Sequence, residues 1–310
     1  IKVLPENISN QIAAGEVIQR PASVVKELTE NAIDAGSTDV KVNIKDAGKA
    51  LVQVIDNGYG MSETDARMAF ERHATSKIAK ANDLFCINTL GFRGEALASI
   101  AAIADMELKT KHKNSDIGTF IHVKGTEIML QEPVNCPEGA NFAVKNLFFN
   151  VPARRKFLKT NSTELKHIIE EFQRVALSNP DVAMSLYHNN TEIYNLPPEN
   201  FRMRIQHIFG KNIEKQLVKI KSHTTVVNIE GFICKPEHSR KNTGEQFFFV
   251  NRRYMRHPYF YRAIRQAYEK LIPADRYPSF FLNFTINPKN IDINIHPTKT
   301  EIKFTDESSI

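Results

Sequence analysis

Cysteine is scarce in this sequence, with Cys86, Cys136 and Cys234 the only three in 310 residues. They are too few and too scattered for a disulfide framework or a zinc site. An odd number suits a reducing compartment, and all three read as packing residues. Long apolar runs are missing as well. No stretch reaches the ~18 residues of a membrane span, and no basic start leads into a short apolar core as in a secretory leader, so the chain reads as soluble and intracellular. Internal repeats are absent, and so is any Gly-x-x-x-x-Gly-Lys-Ser/Thr phosphate loop. Charge of one sign is in small excess: 41 Lys and Arg against 35 Asp and Glu, a formal net charge of +6. Such a surplus points to a polyanion partner only where the positive charge is clustered.

What is present is an ordinary globular composition, 42% hydrophobic and 25% charged. At ~150 residues per domain, the length fits two domains with separate cores. The chain opens at Ile1 and closes on a polar tail, which reads as a fragment of a longer protein. Pro21 suits a first helical position, Val24, Val25, Leu28 and Ala32 recur at helical spacing, and Gly36 can end the helix. Val40, Val42 and Ile44 alternate with polar residues, then Ala47-Gly48-Lys49 turns the chain into a second strand from Leu51 to Ile55. Ser62 with Asp65 starts a helix expected to end near Arg72, and Glu95 to Ala104 reads as another, with a long polar loop between. Residues 105–131 and 141–148 alternate as strands. Leu165, Ile168, Ile169, Phe172 and Val175 form a helical stripe, and Val182 to Leu196 a hairpin. The boundary is expected at about 205. Beyond it, strands at Val226 to Cys234, Gln246 to Val250 and Phe280 to Ile286 alternate with a helix at His257 to Leu271, an α/β pattern.

Three features could carry chemistry. Glu27, Asn31 and Asp34 stand at i, i+4 and i+7 on one face of the first helix, where a carboxylate can take hydrogen-bond density from water and an amide oxygen can hold a hard cation. The same row also describes a solvated helix face. Asp56-Asn57-Gly58-Tyr59-Gly60 follows a strand, so a buried aspartate could accept from an exocyclic amine while the glycines bring backbone close to a ligand; a plain turn reads the same way. Gly91-Phe92-Arg93-Gly94-Glu95-Ala96-Leu97, preceded by Arg72-His73-Ala74-Thr75-Ser76-Lys77, is a glycine-bracketed loop opening a helix. It is either a phosphate cradle or a flexible surface loop.

In this order Glu27-x3-Asn31, Asp56-x-Gly58-x-Gly60 and Gly91-x-x-Gly94 resemble the ATP-binding motifs of the GHKL ATPase superfamily. The segments Gln11 to Ile18, Pro21 to Gly36, Arg72 to Ile78, Gly91 to Ser99, Val151 to Leu158 and Asn290 to Lys299 are further similar to the MutL family of DNA mismatch-repair proteins, its bacterial members above all. The resemblance runs over the whole chain. It implies an α+β fold: a Bergerat-type sandwich over residues 1–205, then, over 206–310, a transducer-like α/β domain resembling a ribosomal-protein fold with a left-handed βαβ crossover. It implies a slow Mg²⁺-dependent ATPase in which Glu27 activates water, Asn31 ligates Mg²⁺ and Asp56 reads adenine. Gly58 and Gly60 would pass beneath the base. Thr75, Ser76, Lys77 and the loop of Leu90, Gly91, Phe92, Arg93, Gly94, Glu95, Ala96 and Leu97 would close over the phosphates, and Lys299 would reach the γ-phosphate. Implied partners are DNA, a second copy joined through an ATP-induced N-terminal dimer, the mismatch-recognition protein MutS and a downstream nuclease or helicase. No membrane is implied and no nuclease activity in this fragment. The location would be cytoplasmic in a bacterium, nuclear in a eukaryote. One position departs from the family: Gly139-Ala140-Asn141 stands where a threonine usually follows the glycine, leaving Asn141 as a possible substitute for the lost hydroxyl.

The positive charge is clustered. Residues 252–276 carry Arg252, Arg253, Arg256, Arg262, Arg265, Lys270 and Arg276 against only Glu269 and Asp275. Tyrosines interleave them and suit either nucleic acid or a helix core. Arg154, Arg155 and Lys156 form a smaller cluster. No base-reading motif occurs, so backbone contacts with little sequence preference are expected, the other reading being a solvated basic face. A sensor kinase is disfavoured, because a general-base glutamate and a second α/β domain stand in place of histidine-bearing dimerisation helices. A nucleotide-gated clamp, in which ATP mainly drives dimerisation, is compatible with the ATPase reading.

Overall fold

The computed structural model describes residues 2, 4–78, 80, 89–292 and 302–304, without the side chains of Glu6 and Asn7. Two compact units result. The first comprises residues 1–79, 89–176 and 181–198; the second takes 80–88 and 177–180 and continues from Glu199.

The first unit begins with helices α1 (Glu6–Val17) and α2 (Pro21–Asp34), then a hairpin of β1 (Asp39–Lys45) and β2 (Leu51–Asp56). After α3 (Glu63–Met68) and α4 (Ala96–Ala101) come β3 (Asp105–Lys111), β4 (Gly118–Lys124), β5 (Glu127–Val134) and β6 (Gly139–Lys145). Helices α5 (Pro152–Phe157) and α6 (Asn161–Ser178) lead to the hairpin β7 (Ala183–His188) and β8 (Thr191–Leu196). The strands form one sheet in the order β5-β4-β3-β6-β2-β1-β7-β8, antiparallel except between β1 and β7. Its inward rows, among them Val40, Val42, Val52, Val54, Met106, Leu108, Phe142 and Val144, are buried together with Val24, Val25 and Leu28 of α2 and Ile168 and Phe172 of α6. Each such side chain contributes about 1.5–3 kcal/mol by leaving water. The opposite face is polar, crossed by a ladder in which Asn43 donates to Gln53 at 3.0 Å and Gln53 to Asn141 at 3.0 Å.

The C-terminus of α2 sets the position of Ser37. Gly36 takes φ +69°, so its N–H bonds Ile33 O at 3.0 Å while the Ser37 N–H reaches back to Ala32 O at 3.2 Å. This Schellman closure delivers Ser37 to the end of β2.

The second unit holds α7 (Phe201–Phe209), β9 (Leu217–His223), β10 (Val227–Cys234), β11 (Gln246–Val250), β12 (Arg253–Met255), α8 (Pro258–Tyr268) and β13 (Phe280–Ile286), with a small pair β14 (Ile291–Asp292) and β15 (Lys303–Phe304). Its five-stranded sheet runs β12-β11-β13-β10-β9. Parallel neighbours β11 and β13 are joined through β12 and α8, the β–α–β crossover of this unit. Both faces of β11 are covered, so all five residues are buried. Phe248 meets Phe260 and Tyr261 of α8, while Phe247 and Phe249 meet Phe209 and Phe201 of α7. A strand covered on both sides reads as a continuous apolar run, which Gln-Phe-Phe-Phe-Val is.

Elsewhere the structure differs from the sequence pattern. The helix capped by Ser62 stops at Met68 rather than Arg72, and His73 at φ +62° turns the chain so that its N–H bonds Gly94 O at 3.1 Å. Helices α1, α5 and α7 and strands β9 and β12 go unmarked by the pattern. Strand β9 is an edge with little burial, so it lacks the alternation of a half-buried strand.

Candidate active site

The polar row of α2 is not a solvated face. Glu27 is 6% exposed, and the Asp34 side chain also 6%. The Asp34 carboxylate works as a clasp: Oδ1 accepts from Leu90 N at 2.8 Å, Oδ2 from Gly91 N at 2.9 Å, and Lys77 Nζ lies 2.5 Å from Oδ2. The same ammonium donates to Asn31 Oδ1 at 3.1 Å. Four of the expected residues, Asn31, Lys77, Leu90 and Gly91, therefore meet through Asp34. This aspartate belongs to the i+7 position of the row but has no role in the motif reading. Glu27 lies one helical turn before Asn31. Thr75 Oγ1 accepts from Lys77 N at 3.2 Å, and Ser76 is exposed. Phe92 is buried beneath Arg93, whose guanidinium lies 5.7 Å from the ring centroid, and Glu95 is 3.6 Å from His73. Ala96 and Leu97 form the first turn of α4.

Asp56 ends the inward row of β2 and is 8% exposed. Gly58 N donates to its Oδ1 at 2.9 Å and Ser37 Oγ to the same atom at 3.1 Å. Burial raises the Asp56 pKa above the ordinary aspartate value, opposed by the hydrogen bonds from Gly58, Ser37 and the Ala140 backbone. Register puts Ala140 directly opposite Asp56, and Thr110 directly opposite Ala140. Asn141, one residue on, faces the other side of the sheet and is held by Gln53. It is no substitute for the missing threonine. The hydroxyl nearest in the row is that of Thr110, fully buried, which donates to Gly139 O at 2.7 Å and accepts from Met61 N at 3.0 Å.

The loop between Asp56 and Met61 depends on Gly60. Its φ is +63°, and an added Cβ would stand 2.0 Å from Lys111 O. Gly60→Ala is expected to lower stability by at least ~2 kcal/mol, a drop in Tm of roughly 4–8 °C in a thermal melt.

The basic residues fall into two groups. Arg252, Arg256, Arg262 and Arg265 are exposed, as is Arg155. Arg253 is 5% exposed. Arg265 donates to Ala274 O at 3.0 Å and stacks on Tyr277, and Arg154 occupies the space beside Gly15, donating to Ile18 O at 3.4 Å. Phe260 and Tyr268 are core, and Tyr259 is half exposed. Lys299 lies outside the described residues.

Residues 19–138 match the family model of histidine kinase-, DNA gyrase B- and HSP90-like ATPases, and residues 205–310 that of DNA mismatch repair protein, C-terminal domain. DNA mismatch repair protein MutL of Parabacteroides distasonis is 61% identical over 310 residues, covering 100% of this chain and 50% of that protein. The chain belongs to the MutL family. MutL of Bacteroides fragilis is 59% identical over the same 310 residues, again 50% of its length, so this chain spans about half of each relative. The Aquifex aeolicus MutL ATPase domain complexed with ADP superposes with a TM-score of 0.68 at 26% identity, over 88% of this chain and 94% of that one. In this MutL-family chain the ATPase match takes in α2, Asp56, the Lys77 segment and the Leu90–Leu97 loop. The fold is the GHKL α+β sandwich followed by a second α/β unit.

Proposed function

We propose that this chain binds ATP with Mg²⁺ and hydrolyses it slowly in DNA mismatch repair. The observation that carries the reading is the convergence of buried Glu27, the Asn31–Lys77–Asp34 cluster and the Gly91 loop on α2, with Asp56 fixed at the end of β2. Asp56 accepts from the exocyclic amine of adenine. On nucleotide binding the Lys77 ammonium and the Leu90–Gly94 loop meet the phosphates, Lys77 and the Leu90 and Gly91 N–H groups exchanging the Asp34 carboxylate for phosphate oxygens. Glu27 accepts a hydrogen bond from the attacking water and aligns it on the γ-phosphate. By family resemblance Lys299 meets the same phosphate. The Asn31 amide oxygen already faces a cation, which is the hard oxygen donor that Mg²⁺ requires. When bound, Mg²⁺ neutralises charge on the phosphates. Among the described residues no group of three or more His, Cys, Asp or Glu could hold a metal ion.

Dimerisation through the N-terminal region is favoured by one observation: Leu4, Ile8 and Ile12 are each more than 40% exposed and recur every fourth residue. Sedimentation with a non-hydrolysable ATP analogue tests it, and a monomer that hydrolyses rapidly would contradict the clamp reading. Arg252, Arg256 and Arg262 supply sequence-independent DNA contacts, with MutS and a nuclease or helicase as partners by resemblance. A cytoplasmic location is proposed from the family resemblance; no helix among the described residues is long and apolar enough to cross a membrane. The test is ATP turnover with and without duplex DNA across a salt series. Stimulation that vanishes at high salt supports both assignments, and turnover indifferent to DNA at low salt counts against the DNA site. Arg262→Ala should weaken DNA binding for all sequences alike and reduce the slope of log K against log salt by about 1.

A further inference from the structure

Lys26 is buried to an extent uncommon for lysine, its side chain 17% exposed. Its ammonium lies 3.1 Å from Glu27 Oε1 and 3.4 Å from the Glu30 carboxylate. From α6, Glu171 adds a third negative field and is itself paired with Arg174. Burial alone would lower the Lys26 pKa, but Glu27, Glu30 and Glu171 more than offset it, and the net displacement is upward. Lys26 therefore stays an ammonium throughout the working pH range. Adjacent residues on a helix do not face each other, so contact between positions 26 and 27 is made by side chains reaching along the helix surface toward one another.

Resting on the reading of Glu27 as the group that aligns water, we infer that Lys26 is a positioning residue for hydrolysis: it grips Oε1 of Glu27 and sets the plane of that carboxylate. Glu30 shares the ammonium and limits how tightly Glu27 is drawn. A carboxylate fixed in plane loses no orientational freedom when water arrives, so the benefit falls on the chemical step rather than on ATP binding.

The experiment compares wild type with Lys26→Arg, the charge-balanced double variant Lys26→Met/Glu30→Gln, and Glu27→Ala. The double variant removes one cation and one anion together, which avoids stranding two carboxylates in a buried place. For it, kcat should fall at least about tenfold, while KM and the affinity for a non-hydrolysable ATP analogue stay within about twofold and the melting temperature is held. Lys26→Arg keeps the charge and should recover much of the rate. A folded double variant with wild-type kcat overturns the inference. So does a parallel loss of kcat, analogue affinity and melting temperature in both Lys26 variants, which marks a purely structural lysine. Undiminished turnover by Glu27→Ala instead sinks the assignment of Glu27, and the role of Lys26 falls with it.

Discussion

Glu27→Ala should leave ATP bound and unhydrolysed, with kcat down by about 10²–10⁴ and analogue affinity nearly unchanged. Glu27 stands one helical turn from Asn31, with its carboxylate buried and an ammonium at Oε1. The carboxylate thus sits beside a fixed positive charge in a place with little competing water, as suits a residue that takes hydrogen-bond density from a nucleophilic water. Alanine also deprives Lys26 of one partner, although Glu30 remains at 3.4 Å, so some stability is lost with the activity. Glu27→Gln separates these effects. It retains an oxygen for Lys26 and the volume of the site but is a far weaker base, so it should melt near wild type and still fail to turn over. Single-turnover phosphate release together with analogue titration decides the matter. Turnover within a fewfold of wild type in both variants removes Glu27 from the chemistry.

Local chemistry makes α2 legible in the sequence. Pro21 at its start, the stripe of Val24, Val25, Leu28 and Ala32, and Gly36 after its end are signals within one segment, and the observed helix runs Pro21–Asp34. The hairpin ending at Asp56 is equally local. A linear pattern does not convey which distant groups arrive at these places. Asp34 receives Leu90 N and Gly91 N from more than fifty residues away, and no spacing rule links them. Thr110 joins Asp56 only through the register of β6 between them. Asn141 reads as a stand-in for a hydroxyl because it adjoins Ala140 in sequence, but the period of two in a strand sends neighbours to opposite faces. Charge counting has the same blind spot in residues 252–276. It counts Arg252 and Arg253 alike, whereas one is exposed at a hairpin tip with φ +67° and the other is buried in β12.

Asp56→Asn should all but abolish ATP recognition while leaving the fold in place. The carboxylate accepts from Gly58 N and Ser37 Oγ through Oδ1, with the Ala140 backbone a further donor, and an asparagine keeps an oxygen for the two donors at Oδ1. The substitution removes the negative charge and half of the acceptor capacity, and in the proposed complex the adenine amine needs an acceptor. A charge-assisted hydrogen bond contributes about 1.5–3 kcal/mol, and an amine buried against an amide N–H adds a desolvation penalty of similar size, so affinity should fall roughly 10²–10⁴-fold by calorimetry. Asp56→Ala should do the same and also destabilise the protein, since Gly58 N and Ser37 Oγ then lose their buried acceptor. Acidity gives an independent check. Because burial raises the Asp56 pKa, the carboxylate protonates at a higher pH than an ordinary aspartate. Protonation removes an acceptor, so ATP affinity should weaken as pH falls toward that raised value, and the acid-side loss should be absent from what little binding Asp56→Asn retains. Wild-type affinity for ATP in the asparagine variant, with a pH profile unchanged from wild type, would dismiss Asp56 as the adenine reader and leave it a buried brace for the Gly58 turn.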